Sequence, residues 1–357
     1  MKKRLRRDAG DRGLHTHRSE QLLIEHLDEL PGGRLLCTTQ GRAQFAAVAA
    51  LRPPERRVTC HFLDLFRAEE SRRLHGDGGG RLSLVCTADF PDEEFDAVAL
   101  PFTATGEAEL VRELMQTGYL RLAEGGRMAV ATDNSRDSFF HEEMQKLFPK
   151  VTRIDGGRGV LYLGTRRGPL KRVRDFSTEF AFRDGDRLLK VFSRPGVFSH
   201  RRLDAGTRAL LDAVEVTPGM RVLDLGCGAG PVAAALASRA DGVTVEAVDS
   251  NPRAVACTQR TCELNGITAV RTHLNAEAKC GEKETLDLAA GNPPYFSQFR
   301  IAELFLDSAA EALRPGGRAV FVTKQPRWFE EHMTGRFDGL TSSPLRNYVI
   351  VSGVKPR

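Results

Sequence analysis

Tryptophan occurs once and tyrosine four times in this chain of 357 residues, and none of its seven cysteines forms a C-x-x-C pair. Without that spacing there is neither a zinc ribbon nor a thioredoxin-like redox pair. The cysteines, Cys37, Cys60, Cys86, Cys227, Cys257, Cys262 and Cys280, are odd in number and sit mostly in strand-like stretches, a pattern of buried reduced thiols and not of a disulfide frame. The nine histidines also lack metal-ligand spacing; His15 and His17 are close but lie in a basic, polar N-terminal stretch, so no metal site is expected. No apolar run approaches the roughly 18 residues that suggest a membrane span. The basic start, MKKRLRR, has no apolar core after it, so it does not read as a secretory signal. Together these absences predict a cytoplasmic protein, expected to be a monomer, that uses neither membrane, metal nor disulfide.

The bulk composition, 41% hydrophobic and 28% charged, is that of an ordinary globular protein. Its length suits two domains of about 150 to 180 residues. The net charge of +5 permits an RNA partner without requiring one.

The informative stretch is RVLDLGCGAGP, residues 221–231. Val222 to Leu225 read as a buried strand, and Gly226, Gly228 and Gly230 as a turn whose backbone can lie against a ligand before a helix begins near Val232. Such a turn alone is weak evidence, because dinucleotide oxidoreductases use a related one. A second strand, Thr244 to Val248, ends at Asp249, about 20 residues on, where a carboxylate can accept hydrogen bonds from both hydroxyls of a ribose. A third apolar run, Leu286 to Ala290, ends in Gly291-Asn292-Pro293-Pro294-Tyr295.

With these three features the chain resembles class I S-adenosylmethionine-dependent methyltransferases of the kind that methylate planar exocyclic or amide nitrogens. The resemblance implies S-adenosylmethionine as cofactor. Gly226, Gly228 and Gly230 would hold its methionine portion, Asp224 would face its amine, Asp249 its ribose and Asn275 its adenine amine. It further implies that Asn292 and a carbonyl of Pro293-Pro294 accept hydrogen bonds from the target NH₂ while Tyr295 stacks on the planar group. A conjugated amine has its lone pair tied up in the ring, so holding its protons aims nitrogen density at the methyl, and two prolines stiffen the turn that holds the acceptors.

The chain also repeats itself. PGGRLLCTTQGRAQFAAVAA from Pro31 aligns without gaps on PGMRVLDLGCGAGPVAAALA from Pro218, VTCHFLD (58–64) on VTVEAVD (243–249), and FDAVALPF (95–102) on LDLAAGNPP (286–294). Repeats this long mean two domains of one fold. In the first copy Cys37 replaces Asp224, Thr39 and Ala43 replace Gly226 and Gly230, and only Gly41 survives; Leu100-Pro101-Phe102 lacks the Asn. The expected architecture is therefore α/β, two tandem Rossmann-like class I methyltransferase domains, the first degenerate and the second active. The boundaries are a basic disordered tail (1–18), the degenerate domain (19–165), a basic linker and hairpin (166–193) and the catalytic domain (194–357). Ser19 to Leu30 carries leucines at helical spacing and opens the first copy.

Between the copies, Arg166, Arg167, Lys171, Arg172 and Arg174 stand against no acid, either as a solvated face or as contacts for an RNA backbone. Phe176 to Val191, with Asp184-Gly185 at its middle, carries a hairpin signal. Next come Pro195-Gly196-Val197-Phe198-Ser199 and Leu203-Asp204-x-Gly206-x-x-Ala209-Leu210-Leu211. Joined to the tandem architecture, this segment is similar to the bacterial ribosomal RNA guanine-N2 methyltransferases built from a degenerate and an active copy. That similarity implies one methyl added to the N2 amine of a guanine, with ribosomal RNA or a ribosomal subunit as partner, and Phe198 walling the pocket or packing in the core. Members often read Asn-Pro-Pro-Phe-His at the catalytic turn, where this chain has Tyr295-Phe296-Ser297, and an Asn near Lys324; Phe296 and Lys324 are thus candidates beside the base. Trp328 and Phe329 are read as packing residues or as stacking surfaces for a base. Competing readings are a protein glutamine-N5 methyltransferase, which shares Asn-Pro-Pro-Tyr, a DNA adenine-N6 enzyme, and a non-catalytic RNA-binding assembly factor.

Overall fold

The computed structural model of the chain describes residues 15–280, 283–294 and 299–357. It divides into two compact units, the first running to residue 174 and the second from 175 onward, with the short stretches 63–66 and 86–89 grouped with the second. Among the described residues no helix is long and apolar enough to cross a membrane.

The first unit comprises α1 (Arg18–Glu25), β1 (Gly33–Cys37), α2 (Gln44–Leu51), β2 (Arg56–Phe62), α3 (Leu65–His75), β3 (Leu82–Cys86), β4 (Phe95–Phe102), α4 (Ala108–Arg121), β5 (Leu122–Thr132), α5 (Phe139–Leu147), β6 (Val151–Asp155) and β7 (Val160–Thr165). The second opens with a hairpin, β8 (Thr178–Asp184) and β9 (Arg187–Ser193). It continues with α6 (Ala205–Ala213), β10 (Arg221–Leu225), α7 (Pro231–Arg239), β11 (Thr244–Asp249), α8 (Pro252–Leu264), β12 (Val270–Leu274), β13 (Leu286–Gly291), α9 (Arg300–Ala312), β14 (Leu313–Thr323), α10 (Pro326–Met333), β15 (Asp338–Leu345) and β16 (Tyr348–Val354). The sheets run β3-β2-β1-β4-β5-β7-β6 and β12-β11-β10-β13-β14-β16-β15, the same order twice. Apolar runs such as Val222 to Leu225 and Leu288 to Ala290 sit at the centre of the second sheet, paired in parallel and covered on both faces, which is why they show no polar alternation.

Three local outcomes depart from the sequence pattern. The helix expected over Ser19–Leu30 begins one residue earlier, capped by His17, and stops at Glu25. The chain unwinds at His26, and the buried Arg56 guanidinium takes the carbonyls of Leu27, Leu30 and Pro31 at 3.2, 2.8 and 3.1 Å. The hairpin groups with the second unit and is no free linker: Asp184 at its turn grips Arg239 of α7 through two hydrogen bonds of 2.8 and 2.7 Å, and Asn265, just after α8, bonds both backbone groups of Lys190.

The third concerns the degenerate glycine turn. The gapless register that sets Pro31 on Pro218 also sets Glu20 on Thr207. Glu20, fully buried, turns its carboxylate into the turn after β1. Its Oε1 accepts from Thr39 Oγ1 at 2.6 Å and from the amides of Gln40 and Gly41 at 2.7 and 3.0 Å, and its Oε2 accepts from the Phe45 amide at 3.0 Å. Ala43 carries the left-handed conformation, φ 61°, that Gly230 supplies in the other copy. The protein's own carboxylate therefore fills this cradle. Glu20→Ala leaves the amides of Gln40 and Phe45 and the Thr39 hydroxyl without this acceptor, while Gly41 keeps Thr39 Oγ1, a penalty of at least about 2 kcal/mol to the first unit. Hydrogen–deuterium exchange should show the amides of Gln40 and Phe45 losing protection; unchanged protection would contradict this role.

Candidate functional site

The intact turn lies in the second unit, at the carboxyl ends of the parallel strands, where open α/β sheets bind ligands. β10 ends at Leu225, Gly226, Gly228 and Gly230 take φ of 75°, 56° and 84°, and Pro231 begins α7 with its φ preset for a helix. At Gly230 both conformation and space demand glycine, since a Cβ would lie 2.9 Å from the Thr258 backbone of α8. Asp224, 2% exposed, caps the first turn of α7 by accepting from the Ala233 amide at 3.0 Å. Burial pushes its pKa up to about 7, against that hydrogen bond and with help from the Asp249 charge. Asp249 holds the end of β11 in place: Oδ1 accepts from the Asn251 amide at 2.9 Å and Oδ2 from the Gly228 amide at 3.0 Å. Desolvation raises its pKa too, although those two bonds oppose the shift. The Ser250 amide bonds the same carboxylate, whose roughly four acceptor positions leave room for one more donor.

A cleft opens beside this turn, walled by Phe180, Phe198, Arg202, Asp204, Asp224 and Asn292 among others. Phe198, 63% exposed, stands at its mouth rather than in the core. The adjoining Ser199 holds φ 59° and bonds the Arg202 carbonyl at 2.7 Å, which closes a tight turn behind the ring.

β13 ends at Gly291 and delivers Asn292 to the same cleft, followed by buried Pro293 and half-buried Pro294; Tyr295 and Phe296 lie outside the described residues. Asn292 Nδ2 donates to Asp204 Oδ2 at 3.1 Å and to Thr207 Oγ1 at 3.2 Å. Asp204 caps α6 through the amides of Gly206 and Thr207. Lys324, exposed at the end of β14, sets its ammonium 4.9 Å from the centre of the Tyr348 ring, and a Cβ on Gly206 would touch that same ring at 3.2 Å. Asp204, Thr207 and Tyr348 are the site residues that motif reading missed. The signal was present as L-D-x-G, a capping aspartate ahead of an apolar helix, but nothing local ties it to an Asn 88 residues away.

Other candidates fall elsewhere. Asn275 does not line the cleft; its Oδ1 accepts from the amides of Glu277 and Lys279 at 2.8 and 3.0 Å and shapes the turn after β12. Arg166 turns inward, its guanidinium bonded to the Leu122 carbonyl and set over the Tyr119 ring, which removes it from the basic face. Arg167, Lys171 and Arg172 are exposed on the first unit. Phe329 is buried, and Trp328 is sandwiched between Phe299 and His332 at 4.6 and 4.0 Å, so both are packing residues. Among the described residues no group of three or more His, Cys, Asp or Glu could hold a metal ion.

The raised Asp224 pKa fixes a sign. The folded state binds a proton that the unfolded chain, with its ordinary value of 3.8, has lost, so this stabilisation is fully present below about pH 4 and declines as pH rises through about 7. Stability of Asp224→Asn, whose amide never ionises, should exceed that of the parent by a margin that widens from pH 5 to pH 8. Equal pH slopes in urea unfolding of the two proteins would contradict the assignment.

Residues 188–351 match the family model of the methyltransferase small domain. Among curated proteins, the ribosomal RNA small subunit methyltransferase C of Hahella chejuensis is 36% identical over 41% of this chain and 44% of its own length. That of Shewanella pealeana is 28% identical over 74% of this chain and 79% of its own. The matched stretch spans about half the length of the Hahella protein and of its Chromohalobacter salexigens counterpart, covered over 52%. Among solved structures, a T. thermophilus 16S rRNA N2 methyltransferase in complex with AdoMet and guanosine superposes with a TM-score of 0.77, covering 97% of this chain and 93% of that one. At 22% identity it establishes the fold of the whole chain, both units included. Through residues 188–351, then, this chain is similar to the methyltransferase small domain family.

Proposed function

We propose that this chain is an S-adenosylmethionine-dependent methyltransferase that adds one methyl to the N2 amine of a guanine in ribosomal RNA, acting in the cytoplasm on the RNA or on a ribosomal subunit. One observation carries the reaction type. Asn292 reaches the cleft of the glycine turn with its nitrogen turned inward to Asp204 and Thr207, so its oxygen is the acceptor left for a substrate amine. Support for the substrate comes from the relatives named for small-subunit ribosomal RNA and from the structural neighbour with guanosine.

S-adenosylmethionine fits the residues present. The turn brings bare backbone to the cleft, buried Asp224 complements an ammonium, and Asp249 keeps an acceptor position for a ribose hydroxyl. When bound, the cofactor supplies an electrophilic methyl on a sulfonium. The chain's own part is placement. Asn292 Oδ1 accepts an N–H of the amine and turns its conjugated lone pair out of the ring plane, Pro293 and Pro294 stiffen that acceptor corner, and Phe198 shields the mouth from water. Methylation makes the amine acidic enough to release its proton to water, so no strong base is required. We also infer that the first unit is a scaffold that binds no cofactor, because Glu20 already occupies its turn.

Asn292→Ala tests the reading. With labelled S-adenosylmethionine and small-subunit particles from a strain lacking the gene, turnover should fall about 100- to 1,000-fold while cofactor affinity stays within about twofold. Label should reach RNA and not protein. Full turnover by the variant removes the assignment, and label in a protein favours a glutamine amide as target.

A further inference from the structure

An asparagine side chain has two ends of nearly equal shape, and only one can receive an amine. Around Asn292 the chemistry removes the ambiguity. Asp204 Oδ2 already accepts from the amides of Gly206 and Thr207 at 2.8 and 3.1 Å, so it is an acceptor whatever the charge on the carboxyl, and the Asn292 atom facing it is the donor Nδ2. The second Nδ2 proton goes to Thr207 Oγ1. Nδ2 then has nothing left to offer the cleft, and among the described residues Oδ1 has no donor. Gly206 makes room for this arrangement, since a Cβ there would lie 2.9 Å from Asp204 Oδ2 and 3.2 Å from Asn292 Nδ2.

The other copy supplies an independent comparison. In the shared register His17 caps α1 where Asp204 caps α6, and Glu20 stands where Thr207 does. The end of β4, Leu100-Pro101-Phe102, offers no asparagine to hold. The Asp and Thr pair thus occurs in the unit that has an amide to orient, and in the other its place is taken by residues that do a different job.

Resting on the methyl-transfer reading above, we propose that Asp204 and Thr207 are positioning residues that lock the flip state of Asn292, so that the cleft presents an acceptor and selects an amine over a carbonyl at the reacting position. A ring carbonyl in that place would meet Oδ1 oxygen to oxygen and be rejected.

Three variants test this in the labelled-methyl assay, alongside Asn292→Ala and a calorimetric cofactor titration. Asp204→Ser keeps a helix cap but is too short to reach Asn292. Asp204→Asn keeps an oxygen that can accept from both the cap amides and Nδ2. Thr207→Val keeps shape and loses the acceptor. The proposal expects kcat to fall about 100-fold in Asp204→Ser and about tenfold in Thr207→Val with KM and cofactor affinity within about twofold, and Asp204→Asn to retain kcat within about threefold. If Asn292→Ala is inactive while Asp204→Ser and Thr207→Val keep the parental kcat, the positioning role is overturned and the methyl-transfer reading stands. If Asn292→Ala is fully active, the reading itself fails and takes the proposal with it. Should Asp204→Ser not fold, Thr207→Val decides alone, and equal loss in Asp204→Asn and Asp204→Ser means that the carboxylate charge and not an acceptor for Nδ2 is what matters, which overturns the proposal.

Discussion

A parallel strand that ends in a glycine turn and passes into a helix leaves a row of backbone N–H groups at the edge of its sheet, and those groups need acceptors. This chain meets that demand twice, in opposite ways. In the first unit a side chain from α1 ends the matter: one carboxylate, Glu20, takes three amides and a hydroxyl, and the turn becomes core. In the second unit the acceptors stand behind the turn, with Asp224 on Ala233 and Asp249 on Gly228, and the α6 residue in the place of Glu20 is a threonine too short to fill the space. The difference between a filled cradle and an open one follows from a single side-chain length at one helical position, with glycines at Gly226 and Gly230 keeping the opened backbone free of Cβ atoms.

Electrostatics gives the open cradle its preference. Asp224 lines the cleft and Asp249 braces the Gly228 amide of its wall; both are drawn out of water and each is pushed toward its neutral form, so burial penalises two carboxylates at this turn. A ligand bearing positive charge relieves that penalty, whereas an anion would add to it. The acceptor at Asn292 faces the same cleft, so a cation and an amine donor are both welcome there, as transfer of a methyl from a sulfonium to an amine requires.

Much of this was legible in the sequence because it is local. The glycine turn, the carboxylate closing the next strand, the Asn-Pro-Pro corner and the hairpin around Asp184-Gly185 all depend on neighbours within a few residues, and the glycine-turn segments of the tandem repeat align without gaps. What escaped reading was what only tertiary contact decides. Asn275, expected to meet an adenine, has its oxygen in two hydrogen bonds that shape the turn it starts. Arg166 carries the right charge in the right run, yet an aromatic ring and a carbonyl turn it inward. Glu20 lies on the apolar face of a short helix, where a sequence pattern gives no reason to expect a buried carboxylate. Asp204 caps α6, but its grip on Asn292 joins two strand-to-helix junctions that no window of sequence contains.

The central claim is that of two sibling cradles only the second is open. Calorimetric titration of the full chain with S-adenosylmethionine measures it directly through the stoichiometry. The account predicts one molecule bound per chain; two per chain would mean that Glu20 yields its place, and none would mean that the second turn is no cofactor site at all.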